Sequence, residues 1–183
     1  MFQLDGFIDD CKTMIQKDAS HVGIKDIVER AVSDPKSLMK AIGDPQKAGA
    51  TAIYNSGLLT IINVVWAPWM TVFPHNHNMW AVIGIYSGRE DNIFWRRIDD
   101  SSEGLIEAAG AKSLCTGDVT PLGHDIIHSV TNPIPRCSGA IHVYGGDFFE
   151  TGSRSEWDAE NLTEQKYDTQ KVMALFENFS ATR

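Results

Sequence analysis

The chain has 183 residues, 43% hydrophobic and 22% charged, and its 16 basic against 24 acidic side chains give a net charge of −8. That length predicts a single domain over residues 1–183, and an acidic balance without a basic block argues against nucleic acid or an anionic membrane as partner. No apolar run approaches the ~20 residues that span a bilayer. Acids stand in the first ten residues where a signal peptide has a basic stretch, and Cys11, Cys115 and Cys137 are scattered, so a cytoplasmic protein with reduced thiols is the expectation.

Residues 1–45 read as a helical segment. Phe2, Phe7, Ile8, Cys11, Met14 and Ile15 fall on one helical face, Val22, Ile24, Ile27, Val28 and Ala31 form a second set, and "SLMKAIG" closes at Gly43. From about residue 51 the character becomes β. The runs at 58–67, 69–75, 80–88, 90–98, 105–115, 118–122, 126–132 and 138–146 are short, rich in β-branched and aromatic residues, and broken by Gly, Pro, Asn or Asp. Short strands this close together, with no helices between them, predict an all-β core over 50–150, a sandwich or barrel rather than a parallel α/β sheet. Residues 154–183 read as a polar tail ending in a helix, with Val172, Leu175, Phe176 and Phe179 as its docking stripe. Trp66, Trp69, Trp80 and Trp95 read mainly as core, with Trp80 close enough to line a pocket.

The chemistry concentrates in "PHNHNMW", residues 74–80. Successive strand residues face opposite ways, so His75 and His77 project together. Of the four other histidines, His128 stands in "GDVTPLGHDIIHSVTN", where Gly117, His128 and Asn132 hold a spacing of eleven and then four residues. That stretch resembles the second signature of the cupin superfamily, with Gly123 and Asp125 in place of the usual Pro and Gly. "HNHNMWAVIGIYSG" is similar to the first signature, His-x-His followed eleven residues after its second His by Gly88. The Glu usual four or five residues after that His is replaced by Ala81 or Val82. The resemblance implies a double-stranded β-helix (jelly-roll) barrel with N-terminal helices and a C-terminal helical tail. It also implies a metal held by His75, His77 and His128. His124 shares a strand face with His128 and competes for the third position.

Three neutral imidazoles leave a divalent cation its full charge and open positions. Among cupins such a site resembles cysteine dioxygenase and related thiol dioxygenases, and also a few ring- and diketone-cleaving dioxygenases. "AIHVYGGDF" is similar to the cysteine-dioxygenase segment that carries a His-x-Tyr pair beside iron; here His142 and Tyr144 match it, and Ala140 replaces a Ser. The implied function is a mononuclear non-haem Fe(II) dioxygenase, other divalent transition ions also suiting the ligands, that oxidises a small-molecule thiol to a sulfinate with O2. Tyr144, oriented by His142, would hydrogen-bond the oxygen or the substrate headgroup. Two alternatives stand beside it: a three-His cupin cleaving a C–C bond of a diketone or phenolic substrate, and a metal- or ligand-binding cupin without catalysis.

Two departures mark the substrate. The resembling family grips a substrate carboxylate with an Arg upstream of the His pair, yet residues 49–74 contain no Arg or Lys and Ala52 stands near its place. The cysteine that cross-links to the active-site tyrosine in animal members is replaced by Val82. Cysteine is therefore expected to be a poor substrate beside some other thiol. Arg96 and Arg97 are the candidates for an anionic group, one of the two expected to point inward, with a solvated strand-end pair as the plainer reading. Glu90 and Asp91 read as solvated turn residues. His21 reads as a surface residue at a helix start, and a homo-oligomer is left open.

Overall fold

The structure is a computed structural model and describes residues 1–181. Three helices come first: α1 (Leu4–Lys17), α2 (Val22–Val32) and α3 (Pro35–Ile42). α3 starts at Asp34, whose side chain accepts the Ser37 amide at 3.1 Å, with Pro35 in the first turn where no donor is needed. The strands follow: β1 (Gly49–Asn55), β2 (Thr60–Trp66), β3 (Thr71–Asn76), β4 (Ala81–Ser87), β5 (Arg89–Arg97) and β6 (Ile106–Cys115). After them come β7 (Val119–Leu122), β8 (Ile127–Thr131), β9 (Ser138–Tyr144), β10 (Ser155–Trp157) and β11 (Glu164–Lys166), before helix α4 (Thr169–Ala181).

Two antiparallel sheets face each other, one ordered β1-β2-β9-β4-β7 and the other β11-β10-β3-β8-β5-β6. This is the double-stranded β-helix. The three central strands of the five-stranded sheet are buried on both sides, which is why β2, β4 and β9 are apolar almost without interruption. Ile62, Val64, Trp66, Ile83, Ile85 and Ala140 face the barrel interior. The alternate residues Ile61, Val82, Tyr86, Ile141 and Val143 face outward onto α1–α3. The approach of α2 is close enough that a Cβ at Gly84 would lie 2.5 Å from a methyl of Val28.

α4 returns to the barrel mouth. Phe176 is buried and stacks on Trp66 with ring centroids 5.6 Å apart, while Val172, Leu175 and Phe179 pack beside it. The tail is less purely helical than its sequence suggests, because β10 and β11 precede α4 and extend the second sheet alongside β3. β1 also falls before the first strand expected. Trp69 is not core: it is 61% exposed at a positive-φ position between β2 and β3. Trp80 bonds the Ala19 carbonyl at 2.9 Å, on the helix side of its sheet. No helix among the described residues is long and apolar enough to cross a membrane.

Candidate metal centre

β3 and β8 pair antiparallel with His75 directly opposite His128, so the two rings are cross-strand neighbours with centroids 4.7 Å apart. His77, two residues on, brings its ring to 5.0 Å from each of the others. The Nε2 atoms of His75 and His77 lie 3.1 Å apart, and those of His77 and His128 lie 3.4 Å apart. One ligand atom from each of the three falls within 4.8 Å of the others, an arrangement that could hold a metal ion. On the far side of two rings, His75 Nδ1 meets the Phe73 carbonyl at 3.0 Å and His128 Nδ1 meets Asn92 Oδ1 at 2.8 Å. Such contacts fix ring orientation and tautomer at metal sites.

All three rings are buried. Burial pulls the His75 imidazolium down to about pKa 4. It holds His77 and His128 well below the ordinary range as well, with mutual repulsion among the rings adding to it. The imidazoles are therefore neutral near neutral pH, which is the ligating state.

The opposite sheet contributes β9, whose inward residues are Ala140, His142 and Tyr144. His142 Nδ1 and the Tyr144 hydroxyl share a hydrogen bond of 2.9 Å, and the Tyr144 ring stands edge-on to His77 with centroids 5.1 Å apart. Burial pushes the Tyr144 phenol far above its usual value, against the pull of Arg154.

Arg154, in the segment between β9 and β10, is a residue the sequence did not single out. It is only 3% exposed; Nε donates to the His77 carbonyl at 3.1 Å, and the guanidinium carbon lies 4.3 Å from the Phe148 ring centroid. Both terminal guanidinium nitrogens are buried without a hydrogen-bond partner among the described residues. Burial lowers its pKa, countered by Tyr144, Tyr167 and Asp147, but a guanidinium stays charged.

These groups line one cavity of about 130 Å³. The three histidines, His142, Tyr144, Tyr167 and Arg154 form its polar part. Ile62, Val64, Val72 and Phe148 form much of the apolar wall, and Thr169, Val172, Met173 and Phe176 of α4 line another side. No Asp or Glu is among the lining residues.

The remaining candidates lie elsewhere. His124 is exposed and 2.7 Å from Asp125. Arg96 is 70% exposed and paired with Glu107, and Arg97 is paired with Glu164 on the surface, so neither points inward. Asp91 binds Arg89 at 2.7 Å on β5. Glu90 is not a solvated turn residue: it is fully buried, because β5 begins at Arg89 and the strand turns Glu90 and Asn92 to the interior. His21 stands at the start of α2 without a side-chain capping bond, 6.4 Å between ring centroids from Trp80.

No protein-family model matches the chain, and no curated protein matches its sequence. Solved structures with a similar arrangement include a conserved protein with a double-stranded β-helix domain from Klebsiella pneumoniae. It is 11% identical with TM-score 0.42, over 57% of this chain and 81% of that one. An RmlC-like cupin family protein from Methanocaldococcus jannaschii is 11% identical with TM-score 0.46, over 57% and 85%. The DMSP lyase DddQ from Ruegeria pomeroyi is 16% identical with TM-score 0.47, over 62% and 53%. At these identities and TM-scores the likenesses carry no argument about chemistry, and the fold is read from the strand order itself.

Proposed function

We propose that the chain is a mononuclear non-haem iron dioxygenase that converts a small thiol carrying a carboxylate into its sulfinate, R–SH + O2 → R–SO2H, with His75, His77 and His128 as the metal ligands. The observation that carries this reading is one cavity holding three neutral, converging imidazoles and a guanidinium with two unpartnered nitrogens.

The donor set fits a metal. With metal–imidazole bonds of about 2.1 Å, ligand nitrogens stand roughly 3.0 Å apart at right angles and about 3.4 Å apart in a tetrahedron; the two separations from His77 Nε2 are 3.1 and 3.4 Å, and the third lies within 4.8 Å. The Nδ1 atoms of His75 and His128 face carbonyl oxygens, so they carry the ring protons and leave bare Nε2 lone pairs facing inward. A divalent iron bound there supplies the one-electron chemistry that dioxygen requires and side chains lack.

The rest belongs to the chain. Arg154 presents a fork that matches a carboxylate. Since no Asp or Glu lines the cavity, the ammonium of an amino acid would be buried unpaired, a cost that favours a thiol acid over cysteine. Tyr144 sets a hydroxyl beside His77. The apolar wall and α4 shield the three buried rings from much of the solvent, which strengthens polar contacts there. Cleavage of a neutral diketone would leave Arg154 without an anionic partner, which ranks that reading second.

An oxygen electrode tests this on the iron-loaded protein with cysteine, cysteamine, mercaptopropionate and mercaptosuccinate. Uptake is expected with the thiol acids and weak with cysteine and cysteamine. Uptake with enolisable diketones alone, or none with any thiol, would overturn the reading.

A further inference from the structure

We propose that Glu90 is the positioning residue of this site. Its carboxylate fixes His142 with the proton on Nε2, so that His142 Nδ1 accepts the Tyr144 hydroxyl proton and the Tyr144 oxygen faces the cavity as an acceptor. The inference rests on the metal-site reading above for its consequence, though not for its geometry.

Glu90 is fully buried, and donors converge on it. Asn92 Nδ2 donates to Oε1 at 2.9 Å, and Trp66 Nε1 donates to Oε2 at 2.9 Å. His142 Nε2 lies 3.8 Å from the same Oε2 and, buried, has no hydrogen-bond partner among the described residues. Only one protonation pattern suits that nitrogen. A bare Nε2 would turn its lone pair toward a carboxylate in a water-free interior, where the repulsion is strong. With a proton on Nε2 the contact becomes an attraction to the carboxylate. In the neutral ring His142 Nδ1, 2.9 Å from the Tyr144 oxygen, is then the acceptor, and the phenol is the donor. A phenol has one proton, so Tyr144 has none left for the cavity and offers lone pairs there instead.

The second arm reaches the metal site. Asn92 holds the Glu90 carboxylate with its amide nitrogen and His128 Nδ1 with its amide oxygen. One buried charge thus orients a ligand imidazole on one sheet and the His142–Tyr144 pair on the other. Ala140, on the His142 face of β9, has no polar group to do the same work.

Nitrogen-15 correlation spectra of the His142 ring decide the matter, recorded on the protein with zinc(II) added as a diamagnetic occupant, for wild type and Glu90→Gln. Gln keeps the shape but removes the charge and turns an amide NH2 toward one of the donors. The wild-type ring is expected to show Nε2 protonated and Nδ1 bare. Glu90→Gln is expected to move the proton wholly or partly to Nδ1. A wild-type ring protonated at Nδ1, alone or together with Nε2, overturns the proposal, as does a Glu90→Gln ring with the wild-type pattern. The wild-type spectrum can refute it even if the variant does not fold. Failure of the metal reading would show separately, as absence of bound zinc, because the tautomer is read on the same sample without turnover.

Discussion

Replacing Arg154 with Met keeps an unbranched apolar stem in a buried position and removes the guanidinium. If the two unpartnered nitrogens grip a substrate carboxylate, both contacts vanish together. Hydrogen bonds to charged groups contribute about 1.5–3 kcal/mol each, and truncating one side of a buried charged pair costs about 2–5 kcal/mol because the other charge is left alone. A loss of about 3 kcal/mol corresponds to a fall on the order of a hundredfold in kcat/KM. The substitution also removes the Nε bond to the His77 carbonyl, so metal content must be measured on the same preparation. Paired substrates separate the two effects. Mercaptopropionate should lose on the order of a hundredfold in an oxygen-uptake assay, whereas its neutral alcohol analogue mercaptopropanol should change by less than about threefold, since it never had the ion pair. An equal fall for both substrates, or none for the acid, would refute the anchoring role and leave Arg154 as a prop for the His77 backbone.

Three further outcomes are expected. His75→Ala, His77→Ala and His128→Ala should each abolish stoichiometric metal binding by elemental analysis while His124→Ala keeps it; full occupancy in His128→Ala would remove that residue from the ligand set. Tyr144→Phe should lower turnover by about tenfold or more, roughly 1.4 kcal/mol, at unchanged metal content, and parental activity would make the pair structural. Burial pushes the Cys11 thiol up to about 12 from an ordinary 9.0, so the unfolded chain deprotonates first, and the stability Cys11 contributes is present below that ordinary value and lost as pH rises past it. At mildly alkaline pH exposed Cys115 should react with a thiol reagent well before Cys11, and equal rates in the folded protein would contradict the packing of α1.

The barrel was legible because its strands are short, β-branched and closely spaced, and because a period of two is enough to put His75 and His77 on one side. Ala140, His142 and Tyr144 follow from the same rule. The residues that were missed share a physical cause. Glu90 stands two residues after Gly88, whose φ is 85°, inside the charged run Arg89-Glu90-Asp91, which has the composition of a turn. Only the pairing of β5 with β8 shows that its alternation turns polar groups, Glu90 and Asn92, to the interior. Apolar patterning cannot see an inward face that is polar by function. Arg154 lies in a bend with no period, and it meets the site through a carbonyl 77 residues away. β10 and β11 are three residues each, too short for any pattern to register, and hold their place through pairings with each other and with β3.

The fate of dioxygen tests the proposed reaction most directly. Iron-loaded protein is supplied with mercaptopropionate under oxygen-18 gas, and the product is weighed by mass spectrometry. The expected product is a sulfinate in which both added oxygen atoms carry the label. A disulfide with release of peroxide, or a sulfinate whose oxygen comes from water, would contradict that reaction.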